Sequence, residues 1–295
     1  MFGQGRDQGK PAQPSAGCAP GPRHLDLPPW HANLHPMFPI RDHNPSGRTP
    51  FVTYALIAIN IVVFLASLQY EGSPRAMMAF YADYALVPRF LSEGYGFSGL
   101  LTSMFLHGGW MHIAGNMLFL YIFGDNLEDE MGHIGYLLFY LAAGLGAGLI
   151  HWLSAPLSTV PTVGASGAIA GVMGGYLLLF PKARVDILII LIVIFRVIPV
   201  PAWLMLALWF AMQLFGGWSA PADQGGVAYW AHVGGFVIGL LLTIPVWLRR
   251  GGARFWNRNE GHPPHPETQY AFERSRVPRV QSRKHHTQVP RIRRK

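Results

Sequence analysis

Between residues 51 and 248 only 14 of 198 side chains are charged, and no other feature of this sequence limits the fold as severely. Soluble domains carry charge on about a quarter of their residues, because a folded surface needs it to stay hydrated. A stretch this poor in charge excludes an ordinary soluble enzyme and predicts an all-α polytopic membrane protein. The remaining charge sits at the ends. Residues 1–50 hold five Arg/Lys and three Asp/Glu, and residues 249–295 hold thirteen and three, against five and nine between them. The single cysteine, Cys18, lies in the first of these tails and leaves no internal disulfide. That tail has no apolar run of the kind a cleavable signal peptide needs, so targeting is expected to come from the first hydrophobic span.

A helix needs about 20 apolar residues to cross the hydrocarbon layer. Five spans are expected at Phe51–Leu68, Met111–Phe123, Ile134–Leu153, Ser166–Phe180 and Val227–Leu248. The second is short unless it begins near Met104, which would carry His107 and His112 within or beside it. The stretch Ile187–Phe195 would make only about 13 Å of helix, and Arg196, Pro199 and Pro201 interrupt it. It is read as an interfacial or half-inserted piece before one further span at about 200–217, where Trp203 and Trp209 suit an interface. The expected architecture is a six-transmembrane-helix domain over 51–248, flanked by polar, disordered tails at 1–50 and 249–295.

With six spans both tails lie on one side, joined there by Lys182 and Arg184, while the opposite loops hold only Arg75 and Arg89. That asymmetry places both termini in the cytosol, in an integral multi-pass protein of the cell (inner) membrane. The acidic segment Asp125–His133 is read as a cytosolic loop. The basic C-terminal run suits anionic lipid, and no nucleic-acid partner is expected.

Ionisable and hydroxyl side chains are costly in a membrane core and usually face a cavity or a partner. Four stand out. His112 and Asn116 are four apart and share one helix face. Ser166 opens the fourth span, and His232 lies in the first turns of the sixth. Taken singly, each has a plain structural reading: a Ser bonded to its own helix, an interfacial His, a His–Asn pair tying helices together. The six-span count places all four at helix beginnings on the non-cytosolic side, at similar depth. Gly167, Gly171 and Gly175 on one helix, and Gly235 and Gly239 on another, allow close backbone approach. A short Ser side chain needs that approach to reach an imidazole, and a Ser–His pair with nearby donors is the minimum apparatus for acyl transfer.

The strings Gly164-Ala-Ser166-Gly167, His107…His112…Asn116 and His232-Val-Gly-Gly235 through Gly239, in that order of helices, resemble the rhomboid intramembrane serine proteases over essentially all of 51–248. The segments Leu101–His107 and Phe123–Glu128 support the likeness. The resemblance implies Ser166 as nucleophile, His232 as general base without a carboxylate partner, and Asn116, His112 and the Ser166 backbone N–H as donors to the oxyanion. It gives Gly164 the turn into the fourth helix and His107 a structural role. It implies transmembrane protein substrates within a lipid bilayer, and neither a cofactor nor a metal. Two features depart from the family pattern. Ala170 stands where members often carry an aromatic residue stacked on the catalytic His, and the loop after the first helix lacks a Trp-Arg pair. A catalytically inactive rhomboid-like protein that binds transmembrane segments is the alternative, and retention of Ser166, His232, Asn116 and His112 argues against it. A transporter with a His proton relay would be expected to carry intramembrane carboxylates, which the span interiors lack.

Overall fold

The protein is described by a computed structural model over residues 37–43, 46–191, 194–220 and 225–266; Cys18 and most of the two tails lie outside these. The fold is mostly helical. Its elements run β1 (Met37–Asp42), α1 (Phe51–Ser67), α2 (Pro74–Tyr84), α3 (Pro88–Ser92), α4 (Gly99–Thr102), α5 (Trp110–Met131), α6 (His133–Ser154) and α7 (Ser166–Leu179). They continue with β2 (Arg184–Leu191), β3 (Ile194–Pro201), α8 (Ala202–Ser219), α9 (Tyr229–Arg249) and α10 (Ala253–Asn259). Among the described residues four helical segments are long and apolar enough to cross a bilayer: Phe51–Tyr70, His133–Ser154, Ala202–Ser219 and Tyr229–Arg249. Helices α5 and α7 occupy the other two expected positions. The first ends in four acidic residues, and the second has only 14 residues, about 21 Å of rise.

Helix α7 is apolar on every side, as a helix enclosed by others should be. Each residue from Gly167 to Tyr176 is buried. Its glycines let α9 come into backbone contact. A Cβ at Gly235 would strike the Gly167 carbonyl, one at Gly239 the Gly171 backbone, and one at Gly174 the Phe236 carbonyl. On the other flank a Cβ at Gly171 would sit 2.5 Å from that of Ala143 on α6. Tyr136, Tyr140, Tyr176 and Phe123 fill the space beneath, fully buried.

The described residues of the stretch expected as an interfacial piece, Ile187–Phe195, lie instead on two antiparallel strands, up to Leu191 on β2 and from Ile194 on β3. Strand β2 pairs antiparallel with β3, from Arg184↔Pro201 to Leu191↔Ile194, and with β1 on its other edge, from Met37↔Ile189 to Asp42↔Val185. Nine apolar residues are too few for a spanning helix, and the run is rich in β-branched Ile and Val, which favour a pleated strand. The prolines that interrupted the helical pattern fit this arrangement. Pro199 and Pro201 lie on β3 and Pro39 on β1, both edge strands of the order β1-β2-β3, where a missing N–H breaks no ladder.

The acidic segment expected as a loop, Asp125–His133, is largely helix. Helix α5 continues to Met131 and stops at Gly132, whose φ of 72° ends it. Its carboxylates are held by specific partners. Glu128, buried, accepts from the Val52 N–H (2.9 Å), the Thr53 N–H (2.8 Å) and the Thr53 hydroxyl (2.7 Å). No side chain of α1 itself caps that helix, so a carboxylate from α5 satisfies its first amides and meets the positive end of its dipole. Glu130 pairs with Arg250 at 2.8 Å and Asp129 with Arg48 at 3.4 Å. Glu128→Ala is therefore expected to lower stability by about 3 kcal/mol, read as a fall in Tm in detergent, and Glu128→Gln to cost less because it keeps an acceptor.

Parts of both expected tails pack on this same end. Strand β1 is tied in through Asp42, which accepts from Asn126 Nδ2 at 2.7 Å and from the Tyr176 hydroxyl at 3.2 Å. Helix α10 buries Phe255, and Trp256 donates its indole N–H to the Leu178 carbonyl at 3.0 Å. The residues beyond 266, like those before 37, lie outside the described part.

Candidate active site

Three helices begin around one small space. Ser166 is the first residue of α7, His232 the fourth of α9, and His112 and Asn116 the third and seventh of α5. The chain enters α7 through Gly164, whose φ of 132° lies in a region that other residues rarely adopt. Its N–H donates to the Ser103 carbonyl at 2.9 Å, which ties the turn to the segment before α5. A Cβ added here would sit 2.7 Å from His112 Nε2 and 3.4 Å from Ser166 Oγ. Gly164 thus leaves open the space that these two atoms share. If the site acts as the resemblance implies, Gly164→Ala is expected to lower turnover about tenfold, roughly 1.4 kcal/mol, and to lower Tm as well, because it displaces His112 and holds a non-glycine residue at a positive φ.

Ser166 Oγ and His232 Nε2 are 2.8 Å apart. The other ring nitrogen, Nδ1, lies 2.8 Å from Gln213 Oε1 on α8. An amide oxygen only accepts, so Nδ1 carries the proton and donates it. Nε2 is then the bare nitrogen, and the Ser166 hydroxyl donates to it. Sequence reasoning left the tautomer of His232 without a partner, and Gln213 was missed. Its signal was present: an amide inside an otherwise apolar helix is costly unless it is satisfied, and Gln213 is buried.

Trp209, expected at a membrane interface, points inward. Its ring lies 5.8 Å from the His232 ring and 6.1 Å from Phe236. With Ala170 carrying no ring, Trp209 is the aromatic beside His232. It reaches that position from α8, one turn before Gln213.

The two donor candidates are oriented by their neighbours. Asn116, buried, donates from Nδ2 to His107 Nε2 at 2.9 Å, which fixes the amide plane and leaves its second N–H. The His107 ring stands edge-on to His112, with centroids 5.1 Å apart. His112 Nδ1 accepts from the Gly108 N–H at 3.4 Å, so its proton sits on Nε2, the nitrogen facing Gly164. No side chain caps α7, which leaves its first amides, that of Ser166 among them, without an intrahelical partner. Ser166 and His232 are in direct contact, and His112 lines their space through Gly164. Asn116 joins the group through His107. No group of three metal-ligating side chains occurs among the described residues.

The loop after α1 lacks the Trp-Arg pair but is anchored to the 155–163 segment. The Leu86 N–H donates to Thr162 at 3.0 Å and the Arg89 N–H to Ser158 at 2.9 Å, while Thr162 returns a bond to Leu86 at 2.8 Å. Trp152 donates to Ser92 at 2.9 Å, and Ser92 donates to the Pro156 carbonyl at 2.7 Å. On the loop's outer side the Arg89 guanidinium bonds Glu93 at 2.7 Å and holds its carboxyl below the ordinary carboxylate range.

Comparison with known proteins gives the family. The family model described as Rhomboid domain matches residues 95–249. Rhomboid-like protein 11, chloroplastic, of Arabidopsis thaliana is 32% identical over 143 residues, 48% of this chain and 47% of the relative. Rhomboid protein 1, mitochondrial, of Saccharomyces cerevisiae is 32% identical over 200 residues, 64% of this chain and 51% of the relative. Rhomboid protease GluP of Bacillus subtilis is 34% identical over 128 residues, 43% of this chain and 24% of the relative. The chain spans about half the length of the first two. The matched region runs from the segment before α5 to the end of α9, taking in Ser166, His232, His112 and Asn116, and the chain belongs to the rhomboid family.

Proposed function

We propose that this chain is an intramembrane serine endopeptidase that cuts transmembrane helices of other membrane proteins with Ser166 and His232. The observation that carries the reading is the 2.8 Å contact between Ser166 Oγ and His232 Nε2, at the beginnings of two helices whose backbones touch. As Ser166 Oγ bonds the scissile carbonyl carbon, its proton passes to His232 Nε2 and the carbonyl electron pair moves onto oxygen. The Ser166 backbone N–H, His112 and Asn116 stabilise that oxyanion. When the C–N bond breaks, His232 returns the proton to the departing amine, and a water attacks the acyl-enzyme by the same route. Every step uses groups of this chain and water, with no cofactor.

The accompanying topology is six spans with both termini cytosolic, in the cell membrane. In that arrangement the 14 residues of α7 stop short of the non-cytosolic face, which sets Ser166 below the surface with an opening toward water. A substrate must offer a carbonyl freed from its helical hydrogen bond, which favours small or helix-breaking residues near the non-cytosolic end of its helix.

A fluorophosphonate probe should label the full chain in liposomes and fail to label Ser166→Ala. The same liposomes with single-pass substrates, and the cut mapped by mass spectrometry, test the endopeptidase reading. Labelling that persists in Ser166→Ala would overturn it, and unlabelled wild type would favour a non-cleaving rhomboid-like protein.

A further inference from the structure

The general base of this site is held by a helix that contributes nothing else to it. Within α8, Gln213 and Trp209 are four apart, so both side chains project from one face. Gln213 Oε1 accepts the His232 Nδ1 proton at 2.8 Å, and Trp209 stands over the ring at 5.8 Å. Ala170, at the position on α7 from which a ring could have supported His232, is fully buried against its neighbours. We infer that Gln213 is a positioning residue, which fixes the tautomer and ring orientation of His232 while Trp209 closes its exposed flank, so that α8 takes over the support that α7 does not give. The inference rests on the reading of Ser166 and His232 as a dyad.

The chemistry is that of an orienting acceptor. A neutral imidazole has two tautomers, and only the one with hydrogen on Nδ1 can accept the Ser166 proton at Nε2. An acceptor at Nδ1 selects that form, and it also bonds the imidazolium once Nε2 is protonated. A carboxylate would add charge, but an amide oxygen suffices for orientation and is less costly to bury. Its neighbours along α8 are apolar, and among the described residues its Oε1 bonds across to His232 on α9.

The test uses the full chain in liposomes and the labelling kinetics of a fluorophosphonate. In that reaction Ser166 Oγ bonds phosphorus, fluoride leaves, and His232 takes the serine proton. Gln213→Leu removes the acceptor with a residue that suits a membrane helix, so insertion and folding are preserved. Its kinact should fall about 10- to 100-fold with KI little changed, since the probe's binding does not depend on the tautomer. Gln213→Glu keeps an oxygen at that position and should recover most of the lost rate. A purely structural amide would instead lower the Tm of Gln213→Leu and leave kinact of the folded protein intact, which overturns the inference. So does Gln213→Glu labelling as slowly as Gln213→Leu. Ser166→Ala, run alongside, separates the two readings. If it still labels, the dyad is wrong and the role of Gln213 falls with it. If it does not label while Gln213→Leu matches wild type, only the role of Gln213 fails.

Discussion

Ser166→Ala and His232→Ala should each remove detectable cleavage of a single-pass substrate in liposomes, while the protein keeps its Tm. The loss should be on the order of 10⁴–10⁶ in turnover, as for the nucleophile or base of a serine protease. Neither truncation opens the core: both side chains are half-buried at helix beginnings, and the close α7–α9 approach at Gly167, Gly171, Gly174, Gly235 and Gly239 is left untouched. In the proposed mechanism the two residues act as one unit, because the hydroxyl is a poor nucleophile until Nε2 takes its proton. The double variant should therefore be no slower than either single one. If the losses multiply, the residues act in separate steps. If Ser166→Ala retains substantial proteolysis, another nucleophile does the cutting.

The helices around this site were legible from their apolar runs. The expected spans begin at Phe51 and Ser166, where α1 and α7 do, and at Met111 and Val227, within two residues of the starts of α5 and α9. The stacking of glycines at intervals of four was equally readable, since close helix approach leaves few alternatives. The strands were not. Nine consecutive apolar residues carry no period that separates strand from helix, and what decides is pairing with β1, nearly 150 residues earlier in the chain. The acidic end of α5 was hidden for a related reason. Charge suggested a loop, yet Glu128 serves as the cap of a different helix, a role no local pattern encodes. Gln213 shows the opposite case. The signal was there in one amide among apolar neighbours, but its meaning depends on α8 lying against His232, and only tertiary structure supplies that. Trp209 was misplaced by the same gap, since an indole in an apolar helix suits an interface as well as it suits a histidine ring.

Asn116→Ala tests the geometry of the site beyond the dyad. Removing one preorganised donor from an oxyanion site typically costs about 10²–10³ in turnover, or roughly 3–4 kcal/mol. In the proposed mechanism the load is shared with the Ser166 backbone N–H and His112, so Asn116→Ala is expected at or below the lower end of that range, and His112→Ala is expected to be similar. The loss should fall on kcat rather than KM, because the negative charge exists only in the transition state. The arrangement adds a relation between residues. Asn116 Nδ2 donates to His107 at 2.9 Å, so His107 orients the amide. His107→Ala should then slow turnover less than Asn116→Ala, and combining the two should add little to Asn116→Ala alone. The competing view makes the Asn116–His107 bond a tie between α5 and the segment before it, and nothing more. That view predicts a lower Tm for both variants with kcat per folded molecule preserved. Measuring Tm and kcat on Asn116→Ala separates them: a destabilised enzyme with full turnover removes Asn116 from the catalytic set, whereas a stable enzyme slowed near 10²-fold places its second N–H on the oxyanion.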